Sequence, residues 1–243
     1  MEPYYYQTLS KAEQSSYQAM QAGLQAFAPS FPVPLLENRA LTDVFMKLRL
    51  DCPQLFYAGT FQYRYYPDSR NAELIPAYLF EKGKLKEHQK ALQSRVEKLV
   101  RPVARCSDEE KLLYIHDFIC KNVRYDKLKK QYSHEIIGVL GHGVGVCEGI
   151  AKAVKILCDA LQIQCIIALA ENNPEKGVKY RHAWNVVRLD KKYYHLDCTF
   201  DLSLGNPEEI RYDYFLLSDK QIFRDHERLV WRVPACEDAD RFY

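Results

Sequence analysis

The sequence has no apolar run long enough to cross a bilayer. Its longest stretches, such as Cys165-Ile-Ile-Ala-Leu-Ala170, fall far short of the ~20 residues a spanning helix needs. Nor is there an excess of either charge. Thirty-four Lys and Arg stand against 32 Asp and Glu, a formal net charge of +2, which leaves no electrostatic footprint for nucleic acid or an anionic membrane. The opening residues, Met1-Glu-Pro-Tyr-Tyr-Tyr6, lack the basic segment and apolar core of a secretory leader. Close CxxC pairs are missing too. Cys52, Cys106, Cys120, Cys147, Cys158, Cys165, Cys198 and Cys236 are scattered, which argues against a structural zinc site and a compact disulfide framework. The expectation is reduced thiols in a cytoplasmic chain. Ten Gly and 11 Pro are too few for collagen-like or low-complexity sequence.

What remains is a chain of 243 residues, 47% hydrophobic and 27% charged, able to bury a sizeable core. That length fits one large domain or a core with an accessory region. Ser10-Lys-Ala-Glu13 is a capping-box pattern and opens a helix to about Ala28; helical spacing recurs from about Glu37 to Leu50. Thr60–Tyr66 and Ala72–Phe80 read as a β-hairpin, and Lys84 to Val100 as an amphipathic helix closed by Arg101-Pro102. Residues 1–101 are thus expected to form an α+β accessory region. Tyr57, Tyr63, Tyr65, Tyr66 and Tyr78 belong to it, as packing residues or as one wall of a substrate groove.

Residues 102–243 read differently. Ser107-Asp-Glu-Glu110 is a second capping box, opening a helix on which His116 and Cys120 are expected to pack. Gly138, Gly141, Gly143 and Gly145 follow, but no Gly-Lys-Ser/Thr closes the stretch, so it is a tight turn rather than a phosphate cradle. It leads into a helix over Cys147–Gln162, then strands at Gln164–Ala170, Arg181–Leu189 and Lys192–Phe200. Helix followed by strands argues for α+β with an antiparallel sheet.

Three side chains are placed for chemistry. Cys147 sits where the Gly-rich turn enters a helix, whose unpaired N–H groups and dipole favour a thiolate. His182 begins one strand and Asp197 lies on the next. A strand histidine can complete a thiolate–imidazolium pair, and a carboxylate on its far nitrogen would fix its orientation. A four-residue loop at Arg188–Lys191 would put His182 directly opposite Asp197. A two-residue loop, Asp190-Lys191, would put Thr199 there and leave Asp197 on the diagonal. Asp201 is four residues further, about 13 Å along the strand, so Asp197 is the better partner. A metal site is disfavoured, since Cys158, Cys165, His182, His195 and Cys198 form no close pairs.

The wording around these residues adds to the reading. Gly145-Val-Cys147-Glu-Gly149, Arg181-His-Ala-Trp-Asn185 and Tyr193-Tyr-His-Leu-Asp197-Cys-Thr-Phe-Asp201 resemble the three blocks of the transglutaminase-like superfamily, in order and separation. Asn122-Val-Arg-Tyr125-Asp126 is similar to the family's segment before its cysteine. Tyr212–Asp219 and Asp225-His226 resemble the tail of bacterial members, so the likeness runs from about Ser107 to His226.

The resemblance implies a papain/transglutaminase-like core in residues 102–243, with Cys147 as nucleophile, His182 as general base and acid, and Asp197 as the orienting carboxylate. It implies an oxyanion donor in the Cys147 backbone N–H and offers Tyr125 as a second. Trp184 and Asn185 would position the histidine strand; Thr199 and Asp201 would satisfy turn backbone. Glu148 should oppose the thiolate slightly.

The expected activity is thiol-dependent acyl transfer on peptide or side-chain amides, without cofactor or metal. Hydrolysis by a protease or amidase is favoured over cross-linking, because nothing resembles the calcium-binding and β-sandwich parts of large animal transglutaminases. The alternative is a non-catalytic binding or scaffolding module of the same fold. The expected partner is a peptide or protein substrate, with no nucleic acid and no membrane.

Overall fold

A computed structural model describes residues 2–205 and 209–237. The chain divides into two compact units, residues 2–90 and 91 onward. The first contains helices α1 (Tyr4–Gln7), α2 (Lys11–Gln25) and α3 (Asn38–Asp51) with strands β1 (Phe31–Pro34), β2 (Ala58–Tyr65) and β3 (Asn71–Tyr78). The strands form an antiparallel sheet in the order β1-β3-β2. The Ser10–Glu13 capping box forms as expected. Many of the unit's aromatics are spent inside it. Phe27 stacks on Tyr78 with ring centroids 3.9 Å apart, and the buried Tyr57 hydroxyl donates to the Leu24 carbonyl at 3.2 Å. Asp51, buried, accepts from the backbone N–H groups of Tyr5 and Tyr6 and from the Tyr17 hydroxyl, which satisfies the open end of α1.

Helix α4 (Lys82–Val100) follows, and the division between units falls inside it, whereas the sequence expectation put the boundary at its end. The second unit continues with α5 (Asp108–Asn122), closed at its N-terminus by the Ser107–Glu110 capping box. Strands β4 (Arg124–Tyr125) and β5 (Val144–Gly145) pair in parallel. The Gly-rich stretch between them, expected as a tight turn, contains a π-helical segment over Ile137–Gly141. Then come α6 (Cys147–Ala160), β6 (Cys165–Leu169), β7 (Ala183–Leu189), β8 (Lys192–Leu196), α7 (Cys198–Leu204), β9 (Phe215–Leu217) and α8 (Asp219–Ile222). The last four strands form one antiparallel sheet in the order β6-β7-β8-β9.

Helix α6 and this sheet share a core. Ile150, Val154, Leu157 and Cys158 lie on the buried side of the helix, and every residue of β6 is buried. The Asn185 amide ties the two layers together, donating to the Ala151 carbonyl at 2.9 Å and to Cys165 Sγ at 3.3 Å. The second unit is therefore α+β, with a cysteine-headed helix packed on an antiparallel sheet.

The hairpin takes the second of the two expected registers. Leu189 pairs with Lys192, so the loop is the two-residue Asp190-Lys191. Both loop residues have positive φ, 50° and 68°, the conformation whose twist matches the flanking strands. The second strand is shorter than expected. It ends at Leu196, and Asp197 turns the chain into α7 by accepting from the N–H groups of Thr199 (2.8 Å) and Phe200 (3.2 Å). Among the described residues, no helix is long and apolar enough to cross a membrane.

Candidate active site

Cys147 is the first residue of α6, after an N-cap (Val146) in extended conformation that makes no side-chain cap bond. Its neighbourhood is held by the segment before it. The Val146 N–H donates to the Ser133 carbonyl at 3.0 Å, and Gly149 lies so close that a Cβ there would sit 2.2 Å from the same oxygen. Only glycine permits this approach. Ser133 in turn donates its hydroxyl to Asp126, which also accepts from the Leu128 and Lys130 N–H groups. The helix start is thus fixed by a loop whose own polar groups are satisfied. All eight cysteines are free, and Cys147 and Cys106 are the two that are not buried.

His182 stands just before β7, with its carbonyl accepting from the Ala170 N–H at 2.8 Å. Its Nε2 lies 2.6 Å from Asp197 Oδ2. Nδ1 is then the ring nitrogen left to serve Cys147, whose thiol lies close enough to favour the charged imidazole. Burial works against a charged ring here. The Asp197 carboxylate and the thiol outweigh it and raise the histidine to about 10 from an ordinary 6.5. Asp197 shows the counterpart: burial opposes its charge, but His182 and His226 hold the carboxyl well below the usual range. The imidazole lies between two aromatic rings, stacked on Trp184 at 5.7 Å and tilted against Phe200 at 4.8 Å.

The ladder register is not what brings His182 to Asp197. With the two-residue loop, continuing the strand would have set His182 opposite Thr199. The chain leaves the sheet at Asp197 instead, and the helix-capping geometry of that residue turns its carboxylate towards the histidine. Oδ1 takes the two α7 N–H groups and Oδ2 takes the imidazole.

Supporting residues come together around this pair. Trp184 donates its indole N–H to His195 Nδ1 at 2.9 Å, and His195 Nε2 lies 2.8 Å from Asp219 Oδ1. Burial lowers the His195 pKa, in keeping with a neutral ring that accepts on one side and donates on the other. Thr199 contributes its backbone N–H to Asp197. Asp201 does more than satisfy a turn: its buried carboxylate pairs with His116 Nε2 at 3.0 Å and accepts from the Tyr214 N–H. His116, expected only to pack, is therefore a polar tie between α5 and α7. Burial raises the Asp201 pKa despite these partners.

Tyr125 lies near the sulfur, since burial, Cys147 and Asp126 together raise its hydroxyl above the ordinary tyrosine value. It also lines a cavity of about 430 Å³ whose walls include Cys120, Arg124, Asp201, Leu202 and Ile210. Glu148 does not stand as a lone acid beside the thiol. Its oxygens meet Lys152 Nζ at 2.8 Å and His134 Nδ1 at 3.2 Å, and the buried lysine also pairs with Glu135 at 2.9 Å.

One feature was missed in the sequence. His226 Nε2 lies 2.9 Å from the same Oδ2 of Asp197 that binds His182. Its Nδ1 lies 2.7 Å from Asp225 Oδ1, and the other Asp225 oxygen accepts from the Tyr214 hydroxyl. The Asp225-His226 pair was visible only as part of the bacterial tail, with nothing to mark it as a partner of Asp197.

Two groups among the described residues hold metal-ligating atoms within 4.8 Å of one another: His182–Asp197–His226 and His195–Asp219–Cys236. In the first, both Nε2 atoms are spent as donors to one carboxylate oxygen. In the second, the Trp184 N–H occupies the His195 Nδ1 lone pair, so hydrogen rather than a metal belongs on Nε2.

Residues 97–198 match the family model of the transglutaminase-like superfamily. No curated protein matches the sequence. Solved structures similar to this chain include a TGase (14% identity, TM-score 0.39, over 58% of this chain and 44% of that one). A candidate cysteine protease from Cytophaga hutchinsonii is 15% identical, with TM-score 0.37, over 58% of this chain and 61% of that one. A candidate protease from Parabacteroides distasonis is 15% identical, with TM-score 0.35, over 57% and 36% of the two chains. The match thus spans less than two thirds of each of these structures.

Proposed function

Taking residues 97–198 as a transglutaminase-like superfamily domain, we propose that this chain is a thiol-dependent acyl-transfer enzyme acting on peptide or side-chain amides. The observation that carries the reading is His182 held by Asp197 at 2.6 Å, with Cys147 at a helix start close enough to favour the charged imidazole. In this mechanism the Cys147 thiolate attacks the amide carbonyl carbon, forming a C–S bond. The oxyanion is taken by the Cys147 backbone N–H, with the Tyr125 hydroxyl as the second donor. The C–N bond then breaks, and the proton on His182 passes to the leaving nitrogen. Water attacks the thioester, His182 takes its proton, and a carboxylate and the free thiol are released. Asp197 keeps the imidazole oriented and stabilises its charged form throughout. An amine in place of water would give cross-linking by the same steps. Hydrolysis is the proposed outcome, as the sequence comparison with animal transglutaminases suggested.

The test is a peptide library incubated with wild type and Cys147→Ala, with and without a primary amine. Cleavage or deamidation lost in the variant supports the hydrolase. Amine incorporation without hydrolysis supports the transferase. Identical behaviour of both proteins on every substrate, with peptide binding retained, replaces catalysis with the scaffolding alternative.

A further inference from the structure

The carboxylate that orients His182 has a second ring on the same atom. His182 Nε2 at 2.6 Å and His226 Nε2 at 2.9 Å both point at Asp197 Oδ2, with ring centroids 5.3 Å apart. His226 has a carboxylate oxygen at each nitrogen, Asp197 on one side and Asp225 on the other. Its side chain is 1% exposed, which shuts out water as a substitute donor. Nothing in a Cys-His-Asp relay requires this residue.

Resting on the function proposed above, we propose that His226 is a positioning residue that shares Asp197 with His182. Together with Asp225, it fixes the carboxylate and limits its hold on the His182 proton. The physical reason lies in the competing needs of the relay. A buried carboxylate devoted to one imidazole would bind its proton very tightly, yet acyl transfer needs that proton delivered to a leaving amine. A second donor on Oδ2 draws off part of the oxygen's charge and prevents the carboxylate from rotating away. Asp225, with the Tyr214 hydroxyl on its other oxygen, keeps the His226 ring turned so that Nε2 faces Asp197.

Other groups face the same cluster. Cys147 comes from α6 and His195 from β8, where it feels both His226 and Asp197. Cys198 and Asp201 of α7 and Cys120 of α5 feel the Asp197 charge. None of these groups is itself replaced in a His226 or Asp225 variant, so a shift on substitution reports the His226 link.

The experiment follows the rate of iodoacetamide alkylation of Cys147, mapped by mass spectrometry, between pH 4 and 11. It needs no substrate. In wild type the rate should rise twice, first as the thiolate–imidazolium pair forms and again as His182 loses its proton. His226→Gln should move the upper inflection to higher pH by about one unit, the size expected when charge on an oxygen ~3 Å away is redistributed. Asp225→Asn lies on a half-exposed side chain and leaves the core filled; it should move the inflection the same way by less. His226→Asn, whose shorter amide cannot reach, should match or exceed His226→Gln. An unmoved upper inflection in folded His226→Gln and Asp225→Asn overturns the inference alone, because the triad signature of wild type would remain. A single inflection in wild type at an ordinary thiol value would overturn the triad reading, and this inference with it.

Discussion

At the scale of single residues, the contrast between Cys147 and the other thiols is one of surroundings rather than of type. Burial pushes Cys120 up to about 12 and also raises Cys198 and Cys236, while Cys158 is raised by its hydrogen bond with Cys165 and by burial. A thiol must ionise to react. Brief iodoacetamide labelling of native protein should therefore modify Cys147 first, with the half-buried Cys106 as its only competitor among the eight. Faster labelling at Cys106, which has no imidazole partner, would show that exposure alone governs reactivity. The carboxylate gives a second residue-scale outcome. Asp197→Asn keeps the volume but replaces one acceptor oxygen with an NH2 donor, facing either two imidazole N–H groups or the α7 amides. The histidine would adopt the wrong tautomer, and kcat should fall by about 10²–10⁴-fold. A change below threefold in a folded variant would mean that His182 needs no anion.

Elements place these residues, and here one glycine decides more than its size suggests. Gly149 lies inside the first turns of α6, where Gly→Ala ordinarily stabilises a helix by about 1 kcal/mol. In this protein a Cβ would stand 2.2 Å from the Ser133 carbonyl, so the segment that holds the helix start must move. Gly149→Ala should therefore destabilise by about 1–3 kcal/mol and slow Cys147 alkylation more than tenfold. Urea unfolding and the labelling rate check the two effects; a stabilised variant would show that the loop yields freely. This contact could not be read from the chain, because Ser133 and Gly149 are brought together by the π-helical segment between them. What could be read were features with a local cause. Both capping boxes formed, α6 begins at Cys147, and β6, β7 and β8 follow in the expected order. The sequence left the loop length open because two left-handed residues, Asp190 and Lys191, close the hairpin without the glycine that usually signals such a turn. The sequence reads Asp197 as a strand residue, yet it reaches His182 as a helix cap. The Asp197-Cys-Thr-Phe-Asp201 pattern, a capping residue followed by an acid in the first turn, was the overlooked signal. His226 had no local signal at all: its partner is 29 residues away.

For the whole molecule, the His182–Asp197 pair links stability to pH. His182 binds its proton more tightly folded, up to about 10, than at its ordinary 6.5. Its contribution is complete below 6.5 and is lost as pH rises towards 10. The slope in that interval is at most about 1.4 kcal/mol per pH unit. Asp197 is shifted the other way, below its ordinary 3.8. Its contribution is present above 3.8 and is lost as pH falls through the folded value. Other groups do not mask the alkaline limb at its start. His195 is lowered by burial, so its effect is finished by 6.5, and the buried thiols and tyrosines begin to cost stability only above their ordinary values of 9.0 and 10.0. In wild type a thiolate at Cys147 would release a compensating proton over the interval from pH 6.5 to 9, so the imidazolium is isolated in a Cys147→Ala background. Urea unfolding of Cys147→Ala across that interval should show stability declining steadily, whereas Cys147→Ala with His182→Gln, which cannot titrate, should be less stable at pH 6.5 and nearly flat up to pH 9. The two curves should converge with rising pH as the single variant loses the charge that the double variant never had. Parallel curves would mean that the proton is not held by the fold, and Asp197 would then be a helix cap without a hold on the imidazole.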